Sequence, residues 1–331
     1  MSTVPANSSA LTDLHRLGRA RSVTARRLRE RMIVGALTAA ATFSIFVTAS
    51  ILIILAKETY TFFQFDQVDM GDFFGSLEWN PKLGAEQHFG IWPLISGTML
   101  ITAIAAVFAL PIGLITAVYL SEYAGPRVRA VLKPTLEVLA GIPTVVYGFF
   151  ALMVITPALQ TLNPLIEGFG TPDAPVAFGG YNALSAGLAV GIMILPIVCS
   201  LSEDALRAVP RSLRDGAFAL GGTRFDVSVK VVVPAALSGI VAAFLLAISR
   251  AIGETMIVAL AAGNVARLTA NPTAEVQTMT GYMASTFKGD APAGTVEYQS
   301  SYAVAATLFC ITFLLTMLGQ YILRRFREEY D

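Results

Sequence analysis

Charge is what this chain has least of. Only 14% of its 331 residues are Asp, Glu, Lys or Arg, while 55% are hydrophobic; soluble domains carry roughly 25% charged residues. The deficit excludes an ordinary water-soluble globule, and the apolar excess excludes a disordered chain. Formal net charge is zero, which argues against a bulk basic nucleic-acid binder. Cysteine is nearly missing: Cys199 and Cys310 both sit in apolar runs, where cysteine is a small packing residue and no disulfide framework is expected. The two histidines, His15 and His88, lie far apart, so no metal site and no cofactor is expected. No lysine follows a glycine and precedes Ser or Thr, and neither a G-x-S-x-G elbow nor an H-E-x-x-H pair occurs. The chain therefore lacks a P-loop, and an enzyme is disfavoured. If ATP drives it, a separate subunit must hydrolyse the nucleotide.

What the chain has in abundance is apolar length. Six runs are long enough to cross a hydrocarbon core: Met32–Ala56, Ile91–Leu120, Val138–Ile166, Ala174–Ser202, Val231 to about Ala262, and Tyr298–Leu323. Backbone groups in lipid must pair internally, so runs of this kind predict helices. The expected class is an all-α integral membrane protein with six transmembrane helices. A basic segment (1–31) precedes the six-helix transmembrane body (32–323), and a short tail (324–331) follows. Several runs exceed one span, so the helices occupy only parts of them. Met32–Ala56 is too long for a signal-peptide core and is read as a retained helix. Pro111, Pro143 and Pro196 fall inside spans and predict kinks.

Lys and Arg set the orientation. They cluster before the first span (Arg16, Arg19, Arg21, Arg26, Arg27, Arg29, Arg31) and between the second and third (Arg127, Arg129, Lys133). They cluster again between the fourth and fifth (Arg207, Arg211, Arg214, Arg224, Lys230) and in the tail (Arg324, Arg325, Arg327). The other side holds Lys57, Lys82, Arg267 and Lys288. The positive-inside rule then places both termini in the cytoplasm, as an even number of spans requires. The first basic cluster also suits anionic lipid headgroups. Outside, Lys57–Gly90 interleaves acids with Phe62, Phe63, Phe65, Phe73, Phe74 and Trp79. That pattern suits an interfacial belt or a docking surface. Gly263–Glu297 reads as a loop that could serve as a gate or lid.

The cytoplasmic stretch 202–236 carries the most informative spacing. Asp215-Gly216-Ala217 is followed after three residues by Gly221, and after nine more by Val231-Val232-Val233-Pro234. This resembles the EAA signature of binding-protein-dependent ABC permeases, with Asp215 and Gly216 departing from its first two letters. In such permeases the loop forms a short helix that enters a cleft of the ATPase. Leu206, Val209, Leu213 and Phe218 are expected to line one face of that helix.

Four segments together resemble the PstC family of phosphate permeases, within the MetI-like fold: Ala117–Ala124, Leu139–Leu152, the EAA-type loop, and Ser249–Asn264. The resemblance implies a prokaryotic cell-membrane importer subunit for inorganic phosphate. Its implied partners are a PstA-like second permease, a PstB-like ATPase dimer and a PstS-like phosphate-binding protein. A permease for sulfate or molybdate, or an ion-coupled secondary transporter, remains the alternative. Read without the family, Arg250 and Glu254 are four residues apart in an apolar run, so on one helix they share a face. Intramembrane charges are costly and face the bundle interior or a wet path. The Arg250 guanidinium suits a tetrahedral oxyanion by its planar fork, with Glu254 holding it between substrates. Glu137, just inside the third run, is a further acidic candidate.

Overall fold

The computed structural model of the chain describes residues 8–81, 87–166, 176–289, 291–292 and 294–325. Lys82, the start of the fourth run at Ala174, and the tail from 326 on, Arg327 included, lie outside the described residues. The chain divides into two compact units, Met1–Lys57 and Glu58–Asp331. The first is helical throughout its described part, within α1 (Ser8–Phe62).

In the second unit, α2 (Met70–Gly75) starts on an Asp69 cap whose carboxylate accepts from Gly71 N–H at 3.0 Å. A two-residue hairpin follows, β1 (Trp79–Asn80) antiparallel to β2 (His88–Phe89). Next come α3 (Trp92–Val118), α4 (Pro126–Ala140), α5 (Thr144–Phe150), α6 (Thr156–Gln160), α7 (Asn163–Ile166) and α8 (Ala183–Ala208). They are followed by α9 (Arg211–Ala219), α10 (Arg224–Val227), α11 (Val233–Ala235), α12 (Leu237–Ile252), α13 (Met256–Ala261), α14 (Met279–Lys288) and α15 (Val296–Arg325). Among the described residues, the π-helical turns Tyr119–Tyr123, Ala151–Ile155 and Ser228–Val232 extend or join these helices.

Among the described residues, four helical stretches are long and apolar enough to span a membrane unbroken: Arg29–Phe62, Trp92–Tyr123, Ala183–Ala208 and Val296–Ile322. Two more are bent, Pro126–Ala140 with Thr144–Gln160 at 91° and Arg224–Ala235 with Leu237–Ile252 at 70°, which makes up to six. The third run therefore does not begin as a span at Val138. The chain turns at Gly141–Pro143, where Pro143, with ψ 135°, is the residue just before α5 and is outside the helix. Glu137 consequently lies exposed on α4, before the bend. Pro111 and Pro196 do sit inside α3 and α8.

The core is the α3–α8 pair. Without a hydrophobic drive between helices in lipid, close backbone approach does the work, and small residues allow it. A Cβ on Gly187 would fall 2.6 Å from Ile104 Cγ2, one on Gly191 2.8 Å from Phe108, and one on Gly113 2.6 Å from Val198. The start of α8 is closed by the α13–α14 connection. Asn182, Ala183 and Leu184 donate their N–H groups to the carbonyls of Ala261, Ala274 and Pro272 at 3.2, 2.9 and 2.8 Å. These are among the donors that a helix start leaves without an intrahelical partner. The Gly263–Glu297 segment thus holds a helix, α14, and packs onto the bundle. The aromatics between the first two spans also turn inward. Phe62, Phe73 and Trp79 are buried with Phe89 and Tyr282, and the Trp79 and Tyr282 rings meet edge-on at 4.9 Å. They fold the connection, while Phe74 stays exposed.

Candidate functional site

The first candidate site is the break in the fifth apolar run. Arg250 occupies the last turn of α12, which stops at Ile252 with Gly253 as its cap. Glu254 lies beyond that end, so the two charges do not share one continuous helix. They nevertheless meet: Arg250 Nη1 donates to Glu254 Oε2 at 3.0 Å. The break explains how. Thr255 precedes α13 without a side-chain cap bond, and Glu254 Oε1 supplies the acceptor, taking Met256 N–H at 3.1 Å and Ile257 N–H at 3.3 Å. A carboxylate at a helix start satisfies free donors and faces the positive end of the dipole. Glu254 is 2% exposed, whereas the Arg250 side chain is 44% exposed. The acid is therefore fixed and the guanidinium keeps an open side.

Glu254 is also held through its backbone, whose carbonyl accepts the Thr280 hydroxyl at 2.6 Å. Behind the break, α13 packs on α5. A Cβ on Gly148 would fall 2.7 Å from Leu260 Cδ1, so this glycine sets the approach. Two of the segments singled out in the sequence, Leu139–Leu152 and Ser249–Asn264, are thereby brought together.

The second candidate site lies at the far end of α8. Helix α9 carries Asp215, Gly216 and Ala217, has no buried residue, and ends in a Schellman motif. Gly221 N–H bonds Phe218 C=O at 2.9 Å and Gly222 N–H bonds Ala217 C=O at 3.2 Å, with Gly221 at φ +84°. The expected apolar face needs correction. Leu206 and Val209 belong to α8 and its cap and are buried in the core of the helix bundle. Leu213 and Phe218 are exposed, joined by Phe225 and by Leu220, which is 91% exposed. Arg214 anchors α9 to the bundle. Its guanidinium donates to the carbonyls of Val209 and Leu206 at 2.6 and 2.7 Å, and to Glu122 at 3.1 Å. A cavity of about 320 Å³ opens there, lined by Glu122, Arg207, Arg211, Asp215 and Phe218 among others.

Sequence reasoning missed Glu203. This α8 carboxylate is 1% exposed and faces Arg129 at 2.7 Å, Lys133 at 2.9 Å and Arg207 at 3.8 Å. It ties α4 to α8. An acid directly after the end of the apolar fourth run was the available signal. Among the described residues no group of His, Cys, Asp and Glu is arranged to hold a metal.

The family model "Binding-protein-dependent transport system inner membrane component" matches residues 109–328. The chain belongs to this family. The match takes in α3's last turns, both candidate sites and α15, so the molecule is a multi-pass inner-membrane permease. The permease is 33% identical to the "Probable ABC transporter permease protein YqgH" of Bacillus subtilis, covering 90% of this chain and 91% of that protein. It is 34% identical to the "Phosphate transport system permease protein PstC" of Mesorhizobium japonicum, covering 76% and 78%. It is 32% identical to the "Probable phosphate transport system permease protein PstC" of Methanocaldococcus jannaschii, covering 74% and 78%. Among solved structures, a bacterial ABC transporter involved in alginate import has a chain that superposes with a TM-score of 0.62. The identity is 12%, over 91% of the permease and 97% of that chain, so this likeness concerns the fold alone.

Proposed function

We propose that this permease is the membrane subunit of an ATP-driven importer of inorganic phosphate, with Arg250 in the translocation path. The single observation that carries the reading is the site itself. A half-open guanidinium sits against a fixed, buried carboxylate at a helix break, in a chain whose relatives include PstC proteins over three quarters of its length. A desolvated phosphate needs compensating charge, and the planar fork of arginine matches its oxygens. Phosphate arriving on the open side of Arg250 competes with Glu254 Oε2, which keeps the anion from being held too tightly. Helix α9 is the coupling element that a separate PstB-like ATPase dimer grips, with Asp215, Gly216, Ala217 and Gly221 shaping it. A PstA-like second permease completes the path, and a PstS-like protein delivers phosphate. Both termini face the cytoplasm, and alternating access moves the substrate.

The test is uptake of labelled phosphate in cells lacking other phosphate transporters, with assembled complex quantified in the membrane. Arg250→Gln should assemble and transport near background. Arg250→Lys keeps charge but loses the fork and should be partly active at most. Wild-type uptake by an assembled Arg250→Gln complex would refute the role of Arg250. Uptake of labelled sulfate or molybdate in preference to phosphate would reassign the cargo, and uptake without any ATPase subunit would reassign the class.

A further inference from the structure

The hydroxyl that holds Glu254 belongs to a chain of hydrogen bonds with a single possible direction. Gly281 N–H donates to Thr278 Oγ1 at 3.0 Å, which occupies an acceptor position and leaves the Thr278 proton to be placed. Thr280 Oγ1 commits its own proton to Glu254 C=O at 2.6 Å. The two hydroxyl oxygens lie 3.2 Å apart. A hydroxyl has one donor and two acceptor positions, so Thr278 must donate to Thr280. The run is Gly281 N–H to Thr278, Thr278 to Thr280, Thr280 to the Glu254 carbonyl. Each hydroxyl both gives and receives, and such chains polarise one another in a buried setting. Thr278, Thr280 and Glu254 are all buried.

The far end of this chain is anchored. Between the two threonines, Met279 N–H donates to Thr98 Oγ1 of α3 at 3.0 Å, and Thr98 passes its proton to Leu94 C=O at 2.8 Å. The first turn of α14 is thereby pinned to the helix that forms the core with α8. From that pinned turn one hydroxyl reaches across 26 residues of sequence to the break between α12 and α13. Beyond the break stands the carboxylate that receives Arg250.

We infer that Thr280 is a positioning residue for Arg250: its hydroxyl fixes Glu254, and Glu254 fixes the guanidinium at the place where the anion is met. This rests on the proposed role of Arg250 in the path. The geometry gives Thr280 no contact with Arg250 itself, so its effect must pass through Glu254. Thr280→Val is nearly isosteric and deletes only the donor, leaving the Glu254 carbonyl and the Thr278 proton without their partners. Thr280→Ser keeps the donor.

The experiment uses the full transporter complex reconstituted in liposomes with its extracytoplasmic binding protein. Phosphate transport and ATP hydrolysis are measured per assembled complex. Misplacing a recognition group by a fraction of an ångström to an ångström costs on the order of tenfold or more in rate. Thr280→Val should therefore lower transport about tenfold while basal ATP hydrolysis persists, so that phosphate moved per ATP falls. Thr280→Ser should stay within about twofold of wild type. In an Arg250→Lys background, where no fork remains to be positioned, adding Thr280→Val should cost less than about twofold more, because residues acting through one network are not additive. Wild-type transport by Thr280→Val overturns the inference. So does a Thr280→Ser loss as large as that of Val, or independent multiplication of the Val and Lys effects. Failure of the Val variant to assemble would mark Thr280 as structural and equally overturn it. An Arg250→Gln complex that transports normally would instead remove the premise, whereas an inactive Arg250→Gln beside a normal Thr280→Val removes this inference alone.

Discussion

Replacing Gly221 isolates a backbone torsion from everything else. The residue sits at the left-handed position that closes α9, with φ +84°, and a Cβ built there meets nothing within 4 Å. Crowding therefore contributes nothing, and the cost of a side chain is the cost of the conformation. For an L-residue that is about 1–2 kcal/mol, equivalent to a factor of roughly 5–30 in the population of the closed turn. Asparagine visits this region with little penalty, and a β-branched residue is the least suited to it. Co-purification with the ATPase and substrate-stimulated ATP hydrolysis should accordingly fall in the order Gly, Asn, Ala, Val, with Asn close to wild type and Val largely uncoupled. The protein should stay in the membrane throughout, since α9 buries nothing. Normal coupling in Gly221→Val would refute the reasoning. Equal damage from Asn and Val would also refute it, because space and not torsion would then be the cause.

Two further substitutions test the frame. Glu203→Ala leaves Arg129 facing a buried position without its acid, while Lys133 loses Glu203 and keeps Asp204 at 2.6 Å. Their side chains are 27% and 24% exposed and can partly reach water, so the loss should be about 3 kcal/mol, the low end for breaking a buried pair. Thermal unfolding of the purified complex reads it, and an unchanged melting temperature would contradict the assignment. Gly187→Val forces a side chain into Ile104, whose Cγ2 lies 2.6 Å from the added Cβ. Overpacking of this kind costs about 1–3 kcal/mol. Less folded permease per cell is expected, and full recovery by a paired Ile104→Ala would locate the fault at this contact.

Much of the fold was legible because lipid leaves a sequence few options. Apolar length gave the spans, and the EAA-type spacing gave a short helix closed by Gly221. The breaks were less legible. Glycine and proline at Gly141–Pro143 look the same whether a helix kinks or turns through 91°, since the outcome depends on what α4 meets. Arg250 and Glu254 were paired correctly by spacing, but an i to i+4 count assumes an unbroken helix, and the contact is made through a capping carboxylate. Leu206 and Val209 were placed on one helix face with Leu213 and Phe218 because periodicity was carried across Pro210, between the end of α8 and the start of α9. Thr280 gave no sequence signal. A threonine is ordinary in such a segment, and only the fold brings it to Glu254.

The π-helical turn at Ala151–Ile155 acts as a phase shifter. Its closing bond runs from Thr156 N–H to Ala151 C=O, five residues back, so the turn holds one residue more than an α-helix would give it. One residue is worth 100° of rotation but only 1.5 Å of rise. That rotation brings Thr156 round to Ser185, whose hydroxyl it meets at 2.8 Å while Ser185 donates to Ala151 C=O at 3.1 Å. Deleting a single residue between 151 and 155 would therefore barely shorten the span, yet would turn every later side chain of α6 away from its partner. Length and register are separate quantities in this helix, and a one-residue gap in a related sequence at this point signals a change of facing, not of depth.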